Sequence, residues 1–95
     1  MNPRPSAVRV REVGPRDGLQ SERPLPVSAR LGLIDALLDA GVHHLEAAAF
    51  VSPKAVPAMA GAAELVAALE RRAGVTYTAL VPNLRGAEQA LAAGR

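Results

Sequence analysis

Arg16 and Asp17 are the adjacent side chains of this sequence best suited to chemistry. They lie in Glu12-Val13-Gly14-Pro15-Arg16-Asp17-Gly18-Leu19-Gln20, between a short alternating run and a helical one. A carboxylate at the end of a strand is a good ligand for a hard cation. An Arg beside it is a permanent cation that can stabilise a developing oxyanion. The bland alternative is a surface ion pair in a turn, which contributes little to stability. The choice depends on what the rest of the chain brings to the same place.

Val8-Arg9-Val10-Arg11 alternates apolar and basic residues, the period of a strand, and Gly14-Pro15 breaks it. Pro26 or Ser28 opens a helix. Val27, Leu31, Ile34 and Leu38 share one face of it, with Arg30, Asp35 and Asp39 outside that stripe, and Gly41 is placed to end it. Residues 42–48 read as a second strand with Glu46 near its C-terminal end. A long Ala-rich helix is expected from Pro57 to Arg72, stopped by Gly74. Residues 75–81 carry four β-branched residues and a Tyr, the clearest strand signal in the chain. Pro82 stops that strand, Asn83 can cap, and Leu84 to Ala93 is a last helix.

The order β-α-β-α-β-α predicts a parallel sheet with right-handed crossovers. It has two completions, a small doubly wound sheet or the first part of a (β/α)8 barrel, which needs about 250 residues. In both, ligands bind at the C-terminal ends of the strands. Those ends carry Arg16 and Asp17, then Glu46, then Asn83. Three successive strands delivering polar groups to one rim favour a site over unrelated surface residues.

Composition narrows the partners. Ninety-five residues make one small domain or part of a larger one. The core must be built from Ala, Val and Leu, because aromatics are 2% of the chain. The net charge of +2 comes from scattered Arg residues with no aromatic interleaving, so no nucleic-acid partner is expected. There is no Cys, which excludes a disulfide framework and a thiolate metal site. No apolar run approaches the ~18 residues of a membrane span. Residues 1–7 read as a Pro-rich leader without a targeting pattern, and the expected setting is the cytoplasm.

The stretch Gly14-Pro15-Arg16-Asp17-Gly18-Leu19-Gln20 resembles the opening signature of the 3-hydroxy-3-methylglutaryl-CoA lyases, metal-dependent TIM barrels. Claisen-type synthases of the same superfamily usually carry Glu where this chain has Leu19. The resemblance runs from about Val8 to Gly94. It includes Leu33-Ile34-Asp35, Ala40-Gly41, Glu46, Phe50-Val51-Ser52-Pro53-Lys54, Val56-Pro57, Pro82-Asn83-Leu84 and Ala92-Ala93-Gly94. It implies an α/β fold that is the N-terminal portion of a (β/α)8 barrel. It also implies Asp17 as a ligand of Mg²⁺ or Mn²⁺, Arg16 as a substrate-binding and enolate-stabilising residue, and Glu46 in the polar network around the metal.

The implied reaction is a retro-Claisen cleavage of the acyl-CoA substrate 3-hydroxy-3-methylglutaryl-CoA to acetyl-CoA and acetoacetate, by an enzyme expected to be a homo-oligomer at full length. The family's His-x-His and Asn ligands and its Gly- and Cys-containing loop lie later than residue 95, so the chain reads as an N-terminal fragment. It departs from the family pattern at Ala47-Ala48-Ala49, where a hydroxyl residue usually precedes the Phe. It departs again at Ala55 and Ala58, where Trp and Gln are common. These departures keep a related acyl-CoA lyase, Claisen synthase or aldolase as an alternative enzyme. A small α/β binding domain is the non-catalytic alternative.

Other candidates read as structural. His43 and His44 are adjacent on a strand, point to opposite faces and cannot chelate one ion. His44 shares a face with Glu46, and ordinary packing is expected of it. Arg71-Arg72 complements a helix C-terminus, and Asp35 and Asp39 form a solvated face. Gly14 and Gly18 lack the spacing of a dinucleotide fingerprint.

Overall fold

The computed structural model describes residues 7–94. The leader expected over 1–7 lies outside the described residues, except for the exposed Ala7. A π-turn at Gly14–Gly18 is followed by α1 (Val27–Asp39), β1 (His44–Ala49), a 3-10 turn at Pro57–Met59, α2 (Ala62–Ala67), β2 (Thr76–Leu80) and α3 (Leu84–Ala93). β1 and β2 pair in parallel, as the alternation of strands and helices requires.

The first expected strand does not form. Residues 8–11 have no regular structure, and Val8 and Val10 are 78% and 72% exposed. Alternation gives a strand only where a neighbour accepts its hydrogen bonds, and here the contact is reduced to a parallel bridge between Glu12 and Leu45. The Glu12 N–H donates to the His44 carbonyl at 2.9 Å, and the Glu46 N–H donates to the Glu12 carbonyl at 2.8 Å. The Thr76 N–H meets the His43 carbonyl, on the other side of β1. β1 is therefore central, with Glu12 on one side and β2 on the other.

The apolar stripe of α1 packs as its spacing demands. Ile34 and Leu38 are buried with Leu45, Ala47, Ala48, Phe50, Ala62 and Leu65, while Val27 and Leu31 flank this core. The helix ends in a Schellman pattern: the Gly41 N–H donates to the Leu38 carbonyl and the Val42 N–H to the Leu37 carbonyl.

Two expectations fail for one reason. The helix expected from Pro57 to Arg72 is only the 3-10 turn and the short α2, divided where Gly61 takes φ +78°, a left-handed conformation that stops helix propagation. The divided segment passes close to α1. Arg30, expected outside the buried stripe, is 1% exposed there, and its Nη1 donates to the Ala60 carbonyl at 2.7 Å. Burial lowers the Arg30 pKa from its ordinary value. Gly74 does not end a helix but turns the chain into β2.

Arg71 and Arg72 consequently lie beyond α2. Arg71 does meet a helix end, but that of α3, through Nη2 and the Gly94 carbonyl at 2.6 Å. Arg72 pairs with Asp39 at 3.3 Å and with Asp35 and Glu70 at 3.6 Å. The acidic face of α1 is therefore paired, though exposed.

α3 is set by a side-chain cap and a close approach. The Gly86 N–H donates to Asn83 Oδ1 at 2.8 Å. A Cβ on Gly86 would stand 2.7 Å from the Phe50 carbonyl oxygen, a backbone atom that cannot swing away. Helix propensity alone favours Ala over Gly by about 1 kcal/mol. Gly86→Ala is nevertheless expected to destabilise by about 1–3 kcal/mol, because the strand end must be pushed back. Gly32→Ala, with nothing within 4 Å, is the control and should stabilise by up to about 1 kcal/mol. Urea-denaturation midpoints check the pair, and shifts of the same sign would remove the close approach as an explanation of Gly86.

Among the described residues, no helix is long and apolar enough to cross a membrane.

Candidate functional site

Arg16 and Asp17 are presented by a turn folded around one carbonyl. The N–H groups of Arg16, Asp17 and Gly18 all donate to the Val13 carbonyl, at 3.1, 2.7 and 3.3 Å. Pro15 starts the turn with its fixed φ and is buried under it. Glu46 comes from β1, thirty residues away in sequence, on the face opposite Leu45 and Ala47. A register shift between Glu46 and Ala48 follows it directly, and both Ala47 and Ala48 enter the core. Such bulges commonly re-aim side chains beside functional sites.

The structure brings Arg16, Asp17 and Glu46 together. Arg16 Nε donates to Glu46 Oε1 at 2.9 Å, with side chains 18% and 9% exposed. Arg16 Nη1 donates to Asp17 Oδ1 at 3.3 Å and to Gln20 Oε1 at 3.3 Å. The shorter and drier contact is the one to Glu46, so Glu46 sets the guanidinium plane and Asp17 is the looser partner. Asp17 is 65% exposed at its side chain. Among the described residues Arg16 Nη2 donates no hydrogen bond, leaving one edge of the fork for a ligand oxygen.

Asn83 follows the C-terminal end of β2, on the expected rim, but its side-chain oxygen is taken by the α3 cap. Ala49 and Ala58, two positions where this chain departs from the lyase pattern, meet in one small apolar cluster with Met59, flanked by Leu19, Val51 and Val56. A polar side chain at either would need a partner in that cluster.

A divalent cation needs more than these residues provide. Asp17 Oδ2 is open and fits one ligand position. Among the described residues, however, no group of three or more His, Cys, Asp or Glu could hold a metal ion. Glu12 also borders the site, though its residue type and position do not single it out. Its Oε2 accepts the Gly14 N–H at 3.1 Å, a signal visible beforehand only as a carboxylate next to the glycine turn.

His44 is 6% exposed, and among the described residues neither ring nitrogen has a partner. His43 is exposed, so the two rings do face apart. Burial first, then the charges of Arg11, Arg9 and His43, hold the His44 pKa below its ordinary 6.5. The folded form takes up a proton less readily than the unfolded chain, whose imidazole titrates near 6.5. Stability from this residue is therefore complete above that pH and is lost as pH falls below it. His44→Leu should flatten the stability profile between about pH 7.5 and 5.5. Equal wild-type and variant slopes in urea denaturation at those two pH values would show that His44 does not titrate with folding.

No protein-family model matches the chain. Individual proteins do. A hydroxymethylglutaryl-CoA lyase of Pseudomonas mevalonii is 60% identical over 89 residues, 93% of this chain and 30% of that protein. The crystal structure of hydroxymethylglutaryl-CoA lyase from Pseudomonas aeruginosa superposes with a TM-score of 0.88 at 53% identity, covering 95% of this chain and 30% of that one. An HMG-CoA lyase from Acinetobacter baumannii, in complex with coenzyme A and 3-methylmalate, gives a TM-score of 0.82 at 39% identity, over 87% of this chain and 28% of that one. The chain thus spans about 30% of the length of the curated relatives it matches.

Proposed function

We propose that this chain, homologous over nearly its whole length to the hydroxymethylglutaryl-CoA lyases, forms the first three βα units of a (β/α)8 lyase barrel and supplies part of its acyl-CoA cleavage site. The observation that carries the reading is the Arg16 guanidinium, fixed at 2.9 Å by Glu46, the third residue of β1 rather than one at its C-terminal end, with an Nη2 edge that makes no hydrogen bond among the described residues. The partial barrel has independent support. Parallel sheets are normally covered on both faces, yet Thr76 and Leu80 of β2 are exposed. Leu84 and Leu91 on α3 are 76% and 73% exposed.

The reaction is the retro-Claisen cleavage of 3-hydroxy-3-methylglutaryl-CoA. A base removes the 3-hydroxyl proton, the adjacent carbon–carbon bond breaks to give acetoacetate, and its electron pair becomes the enolate of acetyl-CoA. Arg16 Nη2 donates to the enolate oxygen, where charge develops. Glu46 holds the guanidinium in that orientation, so little reorganisation is needed as the bond breaks. Asp17 would be one of the residues holding Mg²⁺ or Mn²⁺, and the ion would supply Lewis-acid chemistry. The coenzyme A held by the Acinetobacter baumannii lyase supports an acyl-CoA thioester as the substrate class. The proposal extends to the cytoplasm as the setting and a homo-oligomer as the assembled enzyme.

The test is a chimera in which residues 1–95 replace the matching segment of the Pseudomonas mevalonii lyase. Acetyl-CoA release from 3-hydroxy-3-methylglutaryl-CoA above a no-protein control is expected; a folded but inactive chimera would overturn the reading. The 95-residue chain alone is expected to give no turnover, because one carboxylate cannot hold Mg²⁺ against water. Cleavage by the purified chain would contradict that.

A further inference from the structure

The site is made from two segments far apart in sequence, the turn that carries Arg16 and Asp17 and the strand that carries Glu46. One residue touches both. Glu12 donates its N–H to the His44 carbonyl at 2.9 Å and its carbonyl accepts the Glu46 N–H at 2.8 Å, which fixes it beside β1 opposite Leu45, one residue from Glu46. Its Oε2 accepts the Gly14 N–H at 3.1 Å, at the first residue of the turn. Between these anchors lies Val13, whose carbonyl receives the N–H groups of Arg16, Asp17 and Gly18. A small rotation of the turn about Val13 would swing Arg16 away from Glu46 without disturbing the β1 contact. The carboxylate on Gly14 opposes that rotation.

We infer that Glu12 is a positioning residue: through its hydrogen bond to the Gly14 N–H it sets the Arg16 turn against β1 and so holds the Arg16–Glu46 pair in register. The backbone bonds of Glu12 do not depend on its side chain, so the side chain can be varied with the strand contact intact. Reach and charge separate cleanly. Gln keeps an oxygen at the same distance and loses the charge. Asp keeps the charge and falls a methylene short. Ala loses both. The kinetic consequence rests on the lyase reading above, whereas the structural consequence does not.

The test therefore begins with a readout independent of catalysis. In the full chain labelled with ¹⁵N-arginine, NMR reports solvent exchange of the Arg16 Nε–H that is bonded to Glu46. Glu12→Ala and Glu12→Asp are expected to speed that exchange by about five- to tenfold, the scale of one lost hydrogen bond. Glu12→Gln is expected to stay close to wild type. An unchanged rate in both Ala and Asp variants, or Gln behaving like Ala, would overturn the inference, the second by showing that charge rather than reach matters. Should the Ala variant fail to fold, the comparison of Gln with Asp decides alone.

In the chimera, Glu12→Asp should lower kcat by a similar factor with KM little changed. Combined with Arg16→Gln it should add almost nothing, since the two changes act through the same guanidinium. Additive losses would overturn the inference. An inactive parent chimera would overturn the lyase reading and leave the exchange result to decide Glu12.

Discussion

Arg16→Gln in the lyase chimera is expected to lower kcat by about 10²–10³, the usual cost of losing a preorganised donor at a developing oxyanion. The substitution removes the two Nη2 donors that make no hydrogen bond among the described residues and the Nε donor that Glu46 orients at 2.9 Å. If Arg16 acts on the enolate, its contact strengthens as charge moves to that oxygen, so KM and Mn²⁺ affinity should change little. Arg16→Lys should recover only part of the loss, because an ammonium cannot hold Glu46 with one edge of a planar fork and present another to the substrate. The competing explanation is that Arg16 only steadies Asp17. The geometry weighs against it: the Asp17 contact is longer, at 3.3 Å, and its carboxylate is 65% exposed, where an ion pair contributes little. That explanation predicts weaker metal binding and recovery in excess metal. Steady-state kinetics of Arg16→Gln across a Mn²⁺ series separates the two, and full recovery at saturating Mn²⁺ would remove Arg16 from the reacting centre.

In the same chimera, Asp17→Ala is expected to weaken Mn²⁺ binding by more than about 100-fold and to reduce activity to near background. Outer-shell changes alone cost about 10–100-fold in metal affinity, and loss of a charged ligand should exceed them. A hard cation needs several oxygen ligands, and among the described residues Asp17 is the exposed carboxylate of the site, with Glu46 turned inward to Arg16. Asp17→Asn should fall between, keeping an oxygen but not its charge. Calorimetric titration with Mn²⁺ checks the series. Wild-type affinity in Asp17→Ala would take Asp17 out of the ligand set, whatever happened to turnover.

Arg16 and Asp17 stand out as candidates in the sequence because their types and adjacency are local facts. The same holds for much of the scaffold. The α1 stripe needs only the 3.6-residue period, its end only the glycine at 41, and the start of α3 only an Asn three residues before the N–H it caps. The strands β1 and β2 show in runs of apolar and β-branched residues, and strand-helix alternation makes their pairing parallel.

Residue order thus specifies the elements whose stabilising contacts lie within a few residues, together with the chemical types of Arg16, Asp17 and Glu46. Tertiary structure decided the rest, because the contacts responsible join residues about thirty apart. The alternation at 8–11 stayed unpaired because β1 meets this segment only at Glu12. The Ala-rich helix broke at Gly61, and Arg30 was buried reaching the Ala60 carbonyl, a contact that no property of α1 alone foretells. At the site, adjacency pairs Arg16 with Asp17, but the fold gives Arg16 its shorter bond to Glu46. A guanidinium takes the partner that its backbone aims it at, and here that aim is set by a turn folded on Val13 and held against β1 by Glu12.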